Sequence, residues 1–188
     1  EYSIEVRNKT ARRVGFVIAV DGRNIITGKP SYLKSREKMY ILDPHQLSTF
    51  RGWRSSGNTV NRFYFTNEAD SYAGAFNDHS AMGVIAVAAF YEKRRYHPPH
   101  NMRNQPSTKS RRGSPSVQQD AGTGWGSTEY SPTSKVKFVA QKKPFAKHLI
   151  KYEWHRRLCE MGIIHCNGNH YSNQRGNRLW DDGDYAPP

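Results

Sequence analysis

Apolar and polar residues alternate with a period of two through most of the first 92 residues, the mark of half-buried β-strands. Tyr2, Ile4 and Val6 share one face while Ser3, Glu5 and Arg7 share the other. After the polar turn Asn8 to Arg12, the residues Val14, Phe16, Ile18 and Val20 form a second stripe. Asp21-Gly22 comes next, a dipeptide that tolerates the positive φ angles of a tight hairpin. A short strand around Asn24 to Thr27 should end at the turn Gly28-Lys29-Pro30, completing an antiparallel meander. Further strands are expected over Lys38 to Leu42, Gln46 to Trp53, Val60 to Thr66 and Met82 to Tyr91. The last, MGVIAVAAFY, is apolar on both faces and belongs at the centre of a sheet covered on both sides, with small residues Gly83, Ala86, Ala88 and Ala89 admitting a close neighbour. Later, Lys135 to Ala140 and His148 to Tyr152 alternate again. Trp154 to Met161 reads as a short helix stopped by Gly162.

Closely spaced strands, turn dipeptides between them and one short C-terminal helix predict an all-β chain. The expected fold is an antiparallel β-sandwich, with an open barrel as the alternative, and long irregular segments. No βαβ alternation and no internal repeat is present. Residues 1–188 are expected to form one sandwich domain, with an irregular tail over 166–188 rich in Asn, Gly and Asp. Residues 93–134 almost lack aliphatic side chains and form a long, basic, polar insertion between two strands. The chain beyond residue 134 is too short and too poor in apolar residues to build a second core. A stretch that cannot bury apolar surface takes its order from a partner or a neighbouring subunit.

The segments VDGRNIITGKP, ILDPHQLSTFRGWR, RFYFT, DSYA, MGVIAVAAFYE, GTGWG and YEWHRRLCEMGI, in this order, resemble those of an uncharacterised family of apparently exported bacterial β-rich proteins. The resemblance spans most of the chain. It implies a β-rich fold and an extracytoplasmic, secreted or cell-surface location, and it transfers no catalytic residues.

Charge narrows the mode of contact. Lys and Arg number 29 against 16 Asp and Glu, a formal net charge of +13, beyond the roughly 2 to 8 that keep a small domain soluble. Such an excess favours an acidic partner: nucleic acid, anionic glycan, a membrane surface or an acidic protein face. Cations and aromatic residues interleave along the second half, and the interaction residues expected are Arg94, Arg95, Tyr96, Arg103, Arg111, Arg112, Trp125, Tyr130, Lys142 and Lys143. Trp125, among Gly122, Gly124 and Gly126, reads as an aromatic anchor on a flexible loop. Such mixtures serve protein interfaces, where Tyr, Trp and Arg act as anchors, and equally the stacking and phosphate neutralisation of single-stranded nucleic acid.

Chemistry is harder to place. Cys159 and Cys166 are close enough in sequence to pair, which would suit an oxidising compartment, although two reduced thiols account for the count equally well. His165, Cys166 and His170 are the nearest approach to a metal site, but a disulfide would consume the thiolate that zinc requires. His97 and His100 flank a stiff Pro-Pro pair, and Asp181, Asp182 and Asp184 form a solvated acidic run suited to pairing with a basic patch. No GxSxG elbow, HExxH helix or Walker loop occurs, so no catalytic residue, cofactor or metal is assigned. The longest apolar runs are too short for a membrane span. The start at Glu1 without Met fits a removed leader or a trimmed start. The function expected is therefore that of a non-enzymatic structural or interaction protein. It would be a subunit or accessory component of an extracellular or cell-surface assembly, docking on a protein partner or on copies of itself through its basic arm and tail. A polyanion-binding module for nucleic acid or acidic glycan is the alternative, and a metal-dependent enzyme ranks last.

Overall fold

A computed structural model describes residues 1–93 and 121–165. Among these, twelve strands and one α-helix occur in order: β1 (Ile4–Arg7), β2 (Val14–Val20), β3 (Arg23–Asn24), β4 (Tyr40–Leu42), β5 (Leu47–Phe50), β6 (Gly52–Arg54), β7 (Thr59–Arg62), β8 (Phe65–Asn67), β9 (Val84–Tyr91), β10 (Ala121–Thr123), β11 (Thr128–Tyr130), β12 (Ala146–Lys151) and α1 (His155–Glu160). All strand pairs are antiparallel. The main sheet runs β12-β9-β2-β3, with β4 also on β2. Facing it are β1-β5, β6-β7-β11 and β8-β10, joined by a bridge between Tyr2 and Phe63. The sheets do not close into a barrel, and the expected all-β sandwich is what forms.

Side-chain alternation on β2 and β9 decides which layer each residue serves. Phe16, Ile18, Val20, Ile85 and Val87 point into the core between the layers, where they meet Ile4, Phe50, Trp53 and Phe63. Val17, Ala19, Val84, Ala86, Ala88 and Phe90 point the other way and are buried as well, under Leu33, Met39 and Ala140. β9 is thus covered on both faces, as its unbroken apolar run predicts. The outer cover is made of loops rather than a third sheet. Gly15 lies beneath Met39 and Phe138, and a Cβ there would overlap both.

The Asp21-Gly22 turn has φ of 47° and 75°, so the short loop from β2 to β3 is the type of hairpin its sequence predicts. Other boundaries move. The strand expected over Gln46 to Trp53 breaks at Arg51, whose carbonyl accepts from Phe63 N, and the chain passes from pairing with β1 to pairing with β7. Val60 to Thr66 divides at the fully buried Phe63 into β7 and β8. Lys135 to Ala140 is not a strand: Ala140 makes one isolated bridge to Glu92, and Phe138 packs down beside Arg13. Alternation there reflects a segment lying over a sheet face, not a ladder within it.

The largest difference concerns the polar insertion. Its last part belongs to the fold, because β10 pairs with β8 and β11 pairs with β7. Small residues make this fit: Ala121, Gly122 and Thr123 are all buried, and a Cβ on Gly122 would meet Ser71 and Met82. Residues 94–120 and the tail 166–188 lie outside the described residues. The helix forms close to its expected position, and Gly162, with φ of 71°, comes just after its end. No helix among the described residues is long and apolar enough to cross a membrane.

Candidate interaction site

Four aromatic rings run from the core to the surface beside β10. Trp53 is buried, and its indole Nε1 donates to the Gly124 carbonyl at 3.0 Å. Tyr72 packs on it with ring centroids 4.5 Å apart, and Trp125 stacks on Tyr72 at 4.9 Å. Phe76 meets the Tyr72 ring edge-on at 5.1 Å. Trp125 is 41% exposed and Phe76 55%, so the outer rings form an aromatic ledge with a fully packed base.

The ledge is held from beneath on every side. Gly124 N donates to Tyr64 O and Gly126 N to Arg62 O, each at 2.9 Å, so the backbone on both sides of Trp125 is pinned. Cβ atoms at these glycines would overlap the Tyr64 ring and the Arg62 carbonyl. The glycines therefore permit close approach, and the flexible loop expected around Trp125 is instead a tight connection between β10 and β11. Phe76 sits at the end of a 3-10 turn (Gly74–Phe76) capped by Asn77 in the left-handed region. The Arg23 guanidinium lies 4.2 Å from the Phe76 ring centroid, donates to Gly28 O and pairs with Asp78 at 3.3 Å. Beyond it, His79 lies between Glu68, close to its Nδ1, and Asn77, on its Nε2.

A second constellation fixes the backbone that carries the ledge. Asp21 is fully buried, and its carboxylate accepts from Gly83 N at 2.8 Å, Thr123 N at 2.6 Å and the Tyr152 hydroxyl at 2.6 Å. The Thr123 hydroxyl is bonded to those of Tyr152 and Tyr2, at 2.6 and 2.7 Å. One carboxylate thereby ties the β2–β3 turn to β9, β10 and the end of β12. Burial pushes the Asp21 carboxyl up from 3.8 to about 6, against the opposing pull of the Tyr152, Thr123 and Gly83 donors. Burial likewise raises the Tyr2 and Tyr152 hydroxyls, keeping both protonated as donors.

This sets an expected pH dependence. The folded value of Asp21 lies above its unfolded value, so between about pH 4 and 6 the native state holds a proton that the unfolded chain has released. Its contribution to stability is fully present below that window and is lost as pH rises through it. The gap from 3.8 to about 6 corresponds to about 3 kcal/mol. Denaturant unfolding from pH 4 to 7 should show wild type losing about that much relative to Asp21→Asn, which lacks the titration. A difference that stays constant across the range would contradict it.

The residues expected from the sequence are only partly brought together. Trp125 and Tyr130 belong to the same β10–β11 unit, with Tyr130 at the strand end and 72% exposed. Lys142 and Lys143 are exposed in the connection before β12, on the other sheet. Arg94, Arg95, Tyr96, Arg103, Arg111 and Arg112 lie outside the described residues, as do His97, His100, His170 and the Asp181 to Asp184 run. Cys159 is disulfide-bonded, while Cys166, the other cysteine of the chain, lies outside the described residues. His165 is exposed, and no group of three or more His, Cys, Asp or Glu among the described residues could hold a metal. Sequence reading missed Tyr72, Phe76 and Arg23, which come from stretches without usable periodicity, and Asp21 as anything more than a turn residue. Comparison of the chain with protein-family models, curated proteins and solved structures returned no match.

Proposed function

We propose that this chain is a non-enzymatic docking module, a subunit or accessory component of an extracellular or cell-surface assembly, that grips a protein partner or further copies of itself through the Trp125–Tyr72–Phe76 ledge. The observation that carries this reading is a stacked aromatic surface, exposed at its outer rings and immobilised at its base by Trp53 and the pinned Gly124 and Gly126. Binding hot spots are enriched in Trp, Tyr and Arg. Rings already fixed in place lose little further entropy on association. The disulfide at Cys159 supports an oxidising, extracytoplasmic location. The net charge of +13 would steer the chain toward acidic faces.

A second reading, binding of nucleic acid or acidic glycan, has the exposed Lys142, Lys143 and Lys147 in its favour. Counterion release would then make affinity fall steeply with salt.

The test combines sedimentation over a wide concentration range with photo-crosslinking from position 130, exposed in the same β10–β11 unit, in the cells that make the protein. Trp125→Ala and Phe76→Ala should each weaken self-association, or the yield of a defined crosslinked protein, by at least about tenfold, while leaving thermal stability nearly unchanged. Identical species and identical crosslinks in wild type and both variants would remove the ledge as the docking site.

A further inference from the structure

We propose that the groove between the open edges of β4 and β5 is a binding site for an extended acidic peptide segment of a partner protein. Among the described residues β4 pairs only with β2, and β5 only with β1. Each strand therefore has one edge without a strand partner among the described residues, although the Leu42 carbonyl accepts from Asn8 Nδ2 at 3.3 Å. Both strands line one groove of about 1360 Å³, closed on its far side by the segment 131–140. Small-molecule pockets usually occupy about 300 to 1000 Å³ and enclose their ligand, so this volume along two strands suits a polymer. Strand edges present alternating N–H and C=O groups that match another polypeptide in extended form, and β-strand addition is a common mode of peptide capture. A polynucleotide or a glycan has no such ladder to offer.

The side chains specify the sign of the guest. Arg36, Lys38 and Lys135 line the groove, are exposed, and make no ion pair among the described residues. Its two acids are already engaged. Asp43 pairs with Arg13 at 3.4 Å, and the Glu37 carboxylate accepts from the Ser31 hydroxyl and from Tyr32 N and Lys34 N. Arg54 is likewise occupied, by the Tyr40 hydroxyl and the Ser131 carbonyl. Neutral partners leave the charges of Glu37 and Arg54 in place, but Arg13, Arg36, Lys38, Arg54 and Lys135 outnumber Glu37 and Asp43, so the lining keeps a net positive charge over a floor that includes Tyr40 and Phe50. An extended segment with acids on one face and apolar or β-branched residues on the other meets both requirements.

No ledge residue lines the groove, so this inference does not rest on the ledge and the two fail separately. The probe is a labelled synthetic peptide alternating Glu and Val, titrated into the full chain, with heparin oligosaccharide and single-stranded DNA as competitors. The peptide should bind and slow amide exchange in Tyr40–Leu42 and Leu47–Phe50. Binding should weaken at least about tenfold in Arg36→Glu/Lys38→Glu/Lys135→Glu and stay unchanged in Trp125→Ala. No peptide binding, full-strength binding by the triple variant, or no slowing at the two strands would overturn the proposal. So would displacement of the peptide by heparin or DNA at concentrations below its own, because the groove would then be a general polyanion site.

Discussion

Replacing Asp21 by Ala should cost the fold about 3 kcal/mol or more near pH 4, where the wild-type carboxyl does not yet carry the cost of ionising in the core. Two buried backbone donors, Gly83 N and Thr123 N, and the Tyr152 hydroxyl would lose their acceptor, each loss being worth about 1–3 kcal/mol. The alanine would also sit at φ 47°, a conformation that costs a residue with a Cβ about 1–2 kcal/mol. These terms do not simply add, since Tyr152 could still donate to Thr123 Oγ1, which lies 2.6 Å away. Against a typical total stability of about 5–15 kcal/mol, the variant stands near the edge of unfolding. Asp21→Asn should lose much less, because Asn tolerates the left-handed region and keeps one acceptor oxygen. Guanidinium unfolding of the two variants checks this. A loss below about 1 kcal/mol in Asp21→Ala would mean that the network is incidental to stability.

Trp53→Ala is the second large effect, expected at about 3–5 kcal/mol from the cavity left by a fully buried indole. Its consequence is local as well as global. Trp53 supports the Tyr72 ring and holds the Gly124 carbonyl, so the variant should also lose the fixed position of Trp125. Trp53→Phe keeps a ring but leaves that buried carbonyl without its indole donor, for a smaller cost of about 1–3 kcal/mol. Amide exchange at Gly124 and Gly126 separates the two roles. It should accelerate in Trp53→Ala by more than the global loss of stability explains, whereas exchange that merely tracks global unfolding would show that the indole does not hold the ledge.

Much of the fold is legible in the sequence because it depends on local rules. β2 and β9 are read from period-two stripes and from an apolar run without a polar face. The β2–β3 hairpin is read from the positive φ that Asp-Gly accepts more readily than most pairs. The errors are equally physical. GTGWG reads as flexible because glycine permits mobility, yet the same absence of a Cβ permits the close backbone contacts that pin Trp125. KVKFVA reads as a strand because alternation marks any extended segment that turns one side toward the protein, as Phe138 and Ala140 do while Val136 stays exposed, whether or not it joins a ladder.

The all-β class, the doubly buried central strand, the main hairpin and the excess of positive charge follow from the residues alone, since each depends on side chains near one another along the chain or on a sum over all of them. That Asp21 and Thr123, 102 positions apart, share a hydrogen bond emerges only in the folded chain. The same holds for the stacking of Trp125 on Tyr72 and for the groove bounded by the edges of β4 and β5. Such pairings depend on which strands become neighbours. That choice is set by burial summed over the whole core, and it leaves no local signature in the residues that finally meet.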